Sequence, residues 1–170
     1  GPVTLVFVHG IGDNAWVWEG LWGGPLENHP MIALDQRGHG KSEWSRPARY
    51  RGGDYVEDLR VLFEALDLRT AVLLGHSMGA LHATEFAARC PQRVYGLVHM
   101  DIEPFPPDWN KKYLANLYQT LPESYHSIGE YLGELKKNSP HGGESLRKFA
   151  SRALTRHKDG RFRVQFDREV

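Results

Sequence analysis

The stretch Ala71-Val-Leu-Leu-Gly-His-Ser-Met-Gly-Ala80 constrains this chain more than any other. The apolar run from Ala71 to Leu74 is broken by Gly75-His76-Ser77-Met78-Gly79, and small and apolar residues then recur at helical spacing to Ala88. The pattern predicts a strand, a sharp turn and a helix. A residue at the tip of so tight a turn is forced into a strained backbone conformation, and the positions two before and two after it must lack bulk. Gly75 and Gly79 meet that need. The turn lifts the Ser77 hydroxyl clear of the sheet at a helix N-terminus, where amides favour a developing negative charge.

The flanking segments read as an alternation of strands and helices. Val3-Thr-Leu-Val-Phe-Val8 is a continuous apolar run, as expected of a strand buried on both faces in a parallel sheet. It ends in the turn cluster His9-Gly-Ile-Gly-Asp-Asn14. A short helix is predicted over Trp16 to Leu26, with Trp16, Trp18 and Trp22 on or near its inner side. Met31 to Leu34 is the next strand, stopping at the Gly-rich loop Asp35-Gln-Arg-Gly-His-Gly-Lys-Ser42. Residues 43–53 are polar and Arg-rich, hence a surface loop. Asp54 is a plausible N-cap for a helix carrying Val56, Leu59, Leu62, Phe63 and Leu66, ending near Leu68. The helix after Ser77 runs to Arg89, and Val94 to Met100 is the fourth strand, ending at Asp101-Ile-Glu-Pro104. This order points to a doubly wound, mostly parallel sheet whose active site lies beyond the carboxyl ends of its strands.

From Pro104 the alternation stops. Three helical stretches are expected at 108–120, 124–137 and 143–157, followed by a short exposed strand over Arg161 to Phe166. Residues 104–165 read as a helical insertion carried on a core of residues 1–103, with 166–170 starting a return to that core.

Composition excludes some functions. Twenty-one basic and 21 acidic residues cancel, so no preference for nucleic acid or acidic membranes follows. No apolar run approaches the ~20 residues that span a bilayer, and no signal peptide is visible. A cytoplasmic protein is the expectation. The one cysteine, Cys90, rules out an internal disulfide framework and reads as a small hydrophobe late in a helix. No Cys/His cluster has zinc spacing.

The ordered set His9-Gly10, Asp35-x-Arg37-Gly38-His39-Gly40-x-Ser42, Gly75-His76-Ser77-Met78-Gly79 and Asp101-Ile102-x-Pro104 resembles the α/β-hydrolase superfamily. The likeness is to the branch with a helical cap after the sixth strand. It implies an α/β-hydrolase fold with a partial sheet, no cofactor and no metal. Ser77 would be the catalytic nucleophile, forming an acyl-enzyme. The oxyanion hole would use the backbone amides of Met78 and of Ile11, with Gly12 as second choice. His9 would order its turn by hydrogen bonding, and Asp35, Arg37 and His39 would hold the second loop, with Ser42 capping the next segment. His76 is expected to line the pocket floor or to pack, not to act as base. The triad acid would be Asp101, at the end of the strand after the turn, or a residue further along.

The chain departs from the family pattern by stopping at Val170, before the strands and the loop that would carry the catalytic histidine. None of its nine histidines lies after His157, which is expected in a cap helix. His126 and His141 also fall in the cap. The chain is therefore expected to be a fragment, inactive alone, with both outer edges of its sheet unpaired. The resemblance implies a serine hydrolase of carboxylesterase or lactonase type, taking a small, fairly apolar ester under a cap lined by Phe105, Trp109, Tyr113, Tyr118, Tyr125 and Tyr131. Carbon–carbon bond hydrolases and cofactor-free haloperoxidases share the motifs. A non-catalytic small-molecule receptor or scaffold on the same fold is the rival reading. Haloalkane dehalogenases and epoxide hydrolases resemble the chain but use aspartate where Ser77 stands.

Overall fold

The computed structural model describes residues 1–103 and 107–170. Four parallel strands form the central sheet: β1 (Thr4–Val8), β2 (Met31–Leu34), β3 (Ala71–His76) and β4 (Val94–Met100), in the order β2-β1-β3-β4. The side-chain period of two divides β1 and β3 between two faces. Val6, Val8, Ala71 and Leu73 face α1 (Gly52–Ala65) and α2 (Met78–Arg89), where Leu59, Phe63, Ala83 and Phe86 complete a core. The Phe63 and Phe86 rings meet at 4.9 Å. Leu5 and Phe7 point the other way, onto Trp18, with Val72 and Leu74 half-buried beside them. Both faces of β1 are thus covered, as a continuous apolar run requires. In the pairing of β3 with β4, Ala71 faces Val94 and Val72 faces Gly96, so Tyr95 is the extra residue of a bulge.

The helix expected over Trp16 to Leu26 is a shorter 3-10 helix, Ala15–Leu21, and only Trp18 of its three tryptophans is buried. Trp22 follows the helix in extended backbone, and its ring still meets Phe7 edge-on at 5.7 Å, beside Trp18 at 5.2 Å. Trp16 is exposed but lies under the Arg152 guanidinium, 3.9 Å from its ring centre. Helix α1 starts at Gly52, before Asp54, and Asp54 works from inside the first turn by accepting the Arg51 N–H at 3.0 Å. The helix stops at Ala65, short of Leu68, because Asp67 takes a left-handed φ of 50°. Helix α2 ends at Arg89, as its sequence suggests.

After β4 come α3 (Asp108–Thr120), α4 (Ile128–Asn138) and α5 (Gly143–Arg152), then an antiparallel hairpin of β5 (Leu154–Arg156) and β6 (Phe162–Val164). The third helix is therefore five residues shorter than its periodicity suggests. His157 stands in the hairpin turn, not in a helix, with its N–H on Arg161 O and its carbonyl taken by Gly160. Nor is the second strand exposed: Val164 and Phe166 are buried in a second core with Tyr125, Tyr131, Leu132 and Ala150. The alternation of Phe162, Val164 and Phe166 has one face inward, which a short run between charged residues conceals.

Candidate active site

The strand ends bring three loops together. Ser77 follows β3 with φ 48° and ψ −121°, the strained conformation its sequence context demands. Its N–H is held by Met100 O of the neighbouring strand at 3.0 Å. Both flanking glycines are enforced by contact. A Cβ on Gly75 would stand 2.4 Å from Ala80 Cα, and one on Gly79 would stand 2.3 Å from Val8 O. Helix α2 can therefore start hard against the end of β1 only because Gly79 carries no side chain. The loop after β1 lies against the serine: a Cβ on Gly10 would be 3.2 Å from Ser77 Cβ and 2.8 Å from His76 Nδ1.

Among the described residues, neither the Ile11 nor the Met78 N–H has a hydrogen-bond acceptor. Gly12 does not share that freedom, since its N–H donates to His39 Nε2 at 3.2 Å. Two undonated amides beside a lifted hydroxyl can stabilise an oxygen that gains negative charge.

The histidines around the site are sorted by their partners. His9 Nδ1 donates to Gly10 O at 2.8 Å and its Nε2 accepts the Gln36 N–H at 2.9 Å. His39 Nδ1 donates to Arg37 O at 3.0 Å. A carbonyl only accepts and a peptide N–H only donates, so both rings are neutral with the proton on Nδ1. Burial pushes the His9 pKa down and takes that of His39 to about 4. His82 Nδ1 bonds Gln36 Oε1 at 2.7 Å, and burial takes its pKa to about 3. His9 thus orders its turn, as expected, and His39 does more by fixing Gly12. Asp35 accepts the Ala15 and Lys41 N–H groups at 2.7 and 2.8 Å, and Arg37 forms a two-pronged pair with Asp58 of α1. Ser42 does not cap a following element but donates back to Asp35 O at 2.6 Å.

His76 stands between two carboxylates. Asp13 Oδ2 lies 3.2 Å from its Nδ1, outside hydrogen-bond alignment, and Asp101 Oδ2 lies 3.9 Å from its Nε2. Asp13, with a smaller contribution from Asp101, holds the His76 pKa above the ordinary histidine value against the opposing effect of partial burial. Asp101 follows β4 with φ 49°, and its side chain is 95% exposed. Asp13 escapes a reading of the sequence, and so does the contact of Tyr118, expected only as a lining of the cap, with Ile11 O, because each joins segments distant in sequence.

The aromatics expected to form a roof divide. Tyr125 and Tyr131 are buried in the second core, Trp109 and Tyr113 are exposed, and Tyr118 reaches the loop after β1, its hydroxyl on Ile11 O at 2.8 Å. Phe105 lies outside the described residues. A concavity of about 1060 Å³ between β2 and α1 includes Arg37, Trp44 and Asp58 in its wall, but none of Ser77, Met78, Ile11 or Asp101.

The model of the alpha/beta hydrolase fold family matches residues 3–169. The chain belongs to the α/β-hydrolase family. It is 38% identical over 105 residues to 2-(acetamidomethylene)succinate hydrolase of Mesorhizobium japonicum, covering 62% of this chain and 37% of that protein. It is also 36% identical over 107 residues to a haloalkane dehalogenase of the same organism, covering 62% of this chain and 34% of that one. The crystal structure of E-2-(acetamidomethylene)succinate hydrolase superposes with a TM-score of 0.90 at 29% identity, over 99% of this chain and 62% of that chain. An esterase structure from Mycobacterium tuberculosis gives 0.83 at 26% identity, over 98% and 59%. The chain thus spans about two fifths or less of the length of these curated relatives in the aligned region. Among the described residues no helix is long and apolar enough to cross a membrane.

Proposed function

We propose that this α/β hydrolase works through Ser77 as the nucleophile of a carboxylesterase or lactonase acting on a small, fairly apolar ester. The observation that carries the reading is the positive φ of Ser77 at the β3–α2 turn, beside two amides that donate to nothing among the described residues. The Ser77 oxygen bonds to the ester carbonyl carbon, its proton passes to a base, and the carbonyl oxygen takes the negative charge toward the Ile11 and Met78 amides. Collapse breaks the bond to the alcohol oxygen, which leaves with a proton, and water then releases the acid from the acyl-enzyme.

Asp101 is the proposed acid of the triad. It holds the position after β4 level with Ser77 after β3, through the pairing of His76 with Met100. Its exposed carboxylate is open to an imidazole arriving from outside these elements. The base is none of His9, His39 and His76. The first two have both ring nitrogens engaged, and His76 is committed to Asp13 and Asp101. Serine at position 77, where a dehalogenase or epoxide hydrolase would use aspartate, favours ester over carbon–halogen or epoxide chemistry despite the similarity to a dehalogenase.

A fluorophosphonate probe tests this reading on the whole protein. The adduct is expected on Ser77 by peptide mapping, and S77A is expected to abolish it. Folded protein that stays unlabelled would reject the serine-hydrolase reading in favour of a small-molecule receptor on the same fold.

A further inference from the structure

The peptide unit joining Ile11 to Gly12 is pinned at both ends by groups from different parts of the chain. Its oxygen accepts from Tyr118 Oη at 2.8 Å, a residue of α3. Its N–H donates to His39 Nε2 at 3.2 Å, from the loop after β2. The preceding peptide, which carries the Ile11 N–H, is anchored through Gly10 O by His9 Nδ1 at 2.8 Å and by the Asp13 N–H at 3.3 Å. Among the described residues the Ile11 N–H is left without an acceptor in this frame.

The two clamping side chains share one support. The Phe166 ring meets Tyr118 edge-on at 5.6 Å and lies nearly parallel to His39 at 6.1 Å. Gly12 completes the fit: it has φ 75°, and a Cβ there would stand 2.5 Å from Tyr118 Cε1. The tyrosine ring can lie over the loop only because that position is glycine.

We propose that Tyr118 is a positioning residue, whose hydrogen bond to Ile11 O fixes the direction of the Ile11 N–H and so sets the rate of chemistry at Ser77. The proposal rests on the serine-hydrolase reading above. Tyr118 does not touch the reacting atoms. It acts through the peptide next to the donor, and it makes the helical segment after β4 part of the catalytic apparatus rather than only a cover. A donor aimed at the oxyanion helps the transition state more than the bound ester, so its misdirection lowers kcat and leaves KM nearly unchanged. One neutral hydrogen bond corresponds to roughly a three- to tenfold effect.

The test is Y118F in the whole protein, with Y125F as control. Tyr125 is a buried tyrosine of the second core whose hydroxyl has no hydrogen-bond partner among the described residues. Three quantities are read: kcat and KM on p-nitrophenyl acetate, the rate of fluorophosphonate capture at Ser77, and hydrogen exchange of the Gly12 amide. Y118F is expected to lower kcat and the capture rate about three- to tenfold at unchanged KM, and to speed Gly12 exchange by a similar factor. Y125F is expected to change none of them. A Y118F protein that matches wild type in kcat and in exchange would overturn the proposal. So would a rise in KM alone, which would make Tyr118 a wall of the substrate pocket. Thermal unfolding of both variants separates a loosened loop from a loosened fold, and equal losses in Y118F and Y125F would also count against the clamp. A wild-type protein whose Ser77 never labels would reject the serine-hydrolase reading and the catalytic role of Tyr118 with it. Normal labelling with unchanged Gly12 exchange would reject the clamp alone.

Discussion

Lowering the pH from 8 to 5 should destabilise this chain through three buried imidazoles rather than through its carboxylates. His9, His39 and His82 are each at most 6% exposed. In His9 and His39 the Nε2 atom accepts a backbone N–H. Protonation would put one N–H against another and bury a charge. Burial accordingly holds His39 at about 4 and His82 at about 3, and it lowers His9 as well. In the unfolded chain all three titrate near the ordinary value of about 6.5. Between that value and the folded pKa, the unfolded state binds protons that the native state refuses. Stability therefore rises with pH in this window and falls as pH drops below about 6.5, levelling off only near 3 to 4. Each group contributes a slope of up to about 1.4 kcal/mol per pH unit, which by pH 5 amounts to about 2 kcal/mol for each of His39 and His82. Two such losses approach about 4 kcal/mol, close to the lower end of an ordinary domain's whole stability, and His9 adds to them in the same direction. His76 opposes them weakly. Its pKa is raised, so its stabilisation is present below about 6.5 and lost as pH rises through the folded value.

Urea denaturation at pH 8, 7, 6 and 5 measures the effect. The midpoint should hold between pH 8 and 7 and fall steeply below 6.5 at constant slope. Proton NMR of the nine histidines should show His9, His39 and His82 still neutral at pH 5.5 in the folded protein. A flat midpoint down to pH 5, or any of the three titrating near 6.5, would refute the reasoning.

Other changes have outcomes as definite. S77G should abolish probe labelling yet stabilise the fold by about 1 kcal/mol in thermal denaturation, since glycine relieves the strain of φ 48°. G79A places a methyl within 2.3 Å of Val8 O and 2.4 Å of His9 O, both main chain and unable to yield. It should cost about 3 kcal/mol or more, read as a shift in the urea midpoint. D13N removes the nearer carboxylate from His76, so the His76 pKa by NMR should fall toward the ordinary value. D101N should lower it by less, because its carboxylate lies farther off, at 3.9 Å.

How legible the fold was depended on where its periodicity came from. Strands β1 to β4 and helix α2 could be read directly, since a run such as Val3–Val8 has one use in a parallel sheet and the glycines at 75 and 79 fix the turn. The segment over Trp16 misled in part because three tryptophans suggest one inner face, while Trp18 and Trp22 pack on Phe7 and Trp16 is left to Arg152, more than 130 residues away in sequence. The hairpin after α5 misled for a related reason. Leu154-Thr-Arg156 has no strand signal of its own and is strand only because Phe162-Arg-Val164 pairs with it. At the site, Ser77 and Met78 carried local signals. Asp13, the contact of Tyr118 with Ile11 O and the engagement of Gly12 by His39 did not, because each joins segments distant in sequence.

Strained backbone at the strand ends needs the same distinction between local and tertiary cause. Three non-glycine residues among those described have positive φ: Asp67, Ser77 and Asp101. Asp67 follows α1, where a left-handed residue ends a helix and aspartate tolerates it, so its conformation has a local explanation. Ser77 has none, and Asp101, though aspartate tolerates the conformation, follows a strand and ends no helix. They are the first residues past β3 and β4, level with each other across paired His76 and Met100, and joined by the hydrogen bond from Ser77 N–H to Met100 O. Each such residue costs of order 1–3 kcal/mol, and the sheet holds both in place at one height. Placing a hydroxyl and a carboxylate at matched positions above adjacent strands is what a nucleophile and the acid behind its base require. That shared height supports the proposal of Asp101, rather than Glu103, as the acid for Ser77.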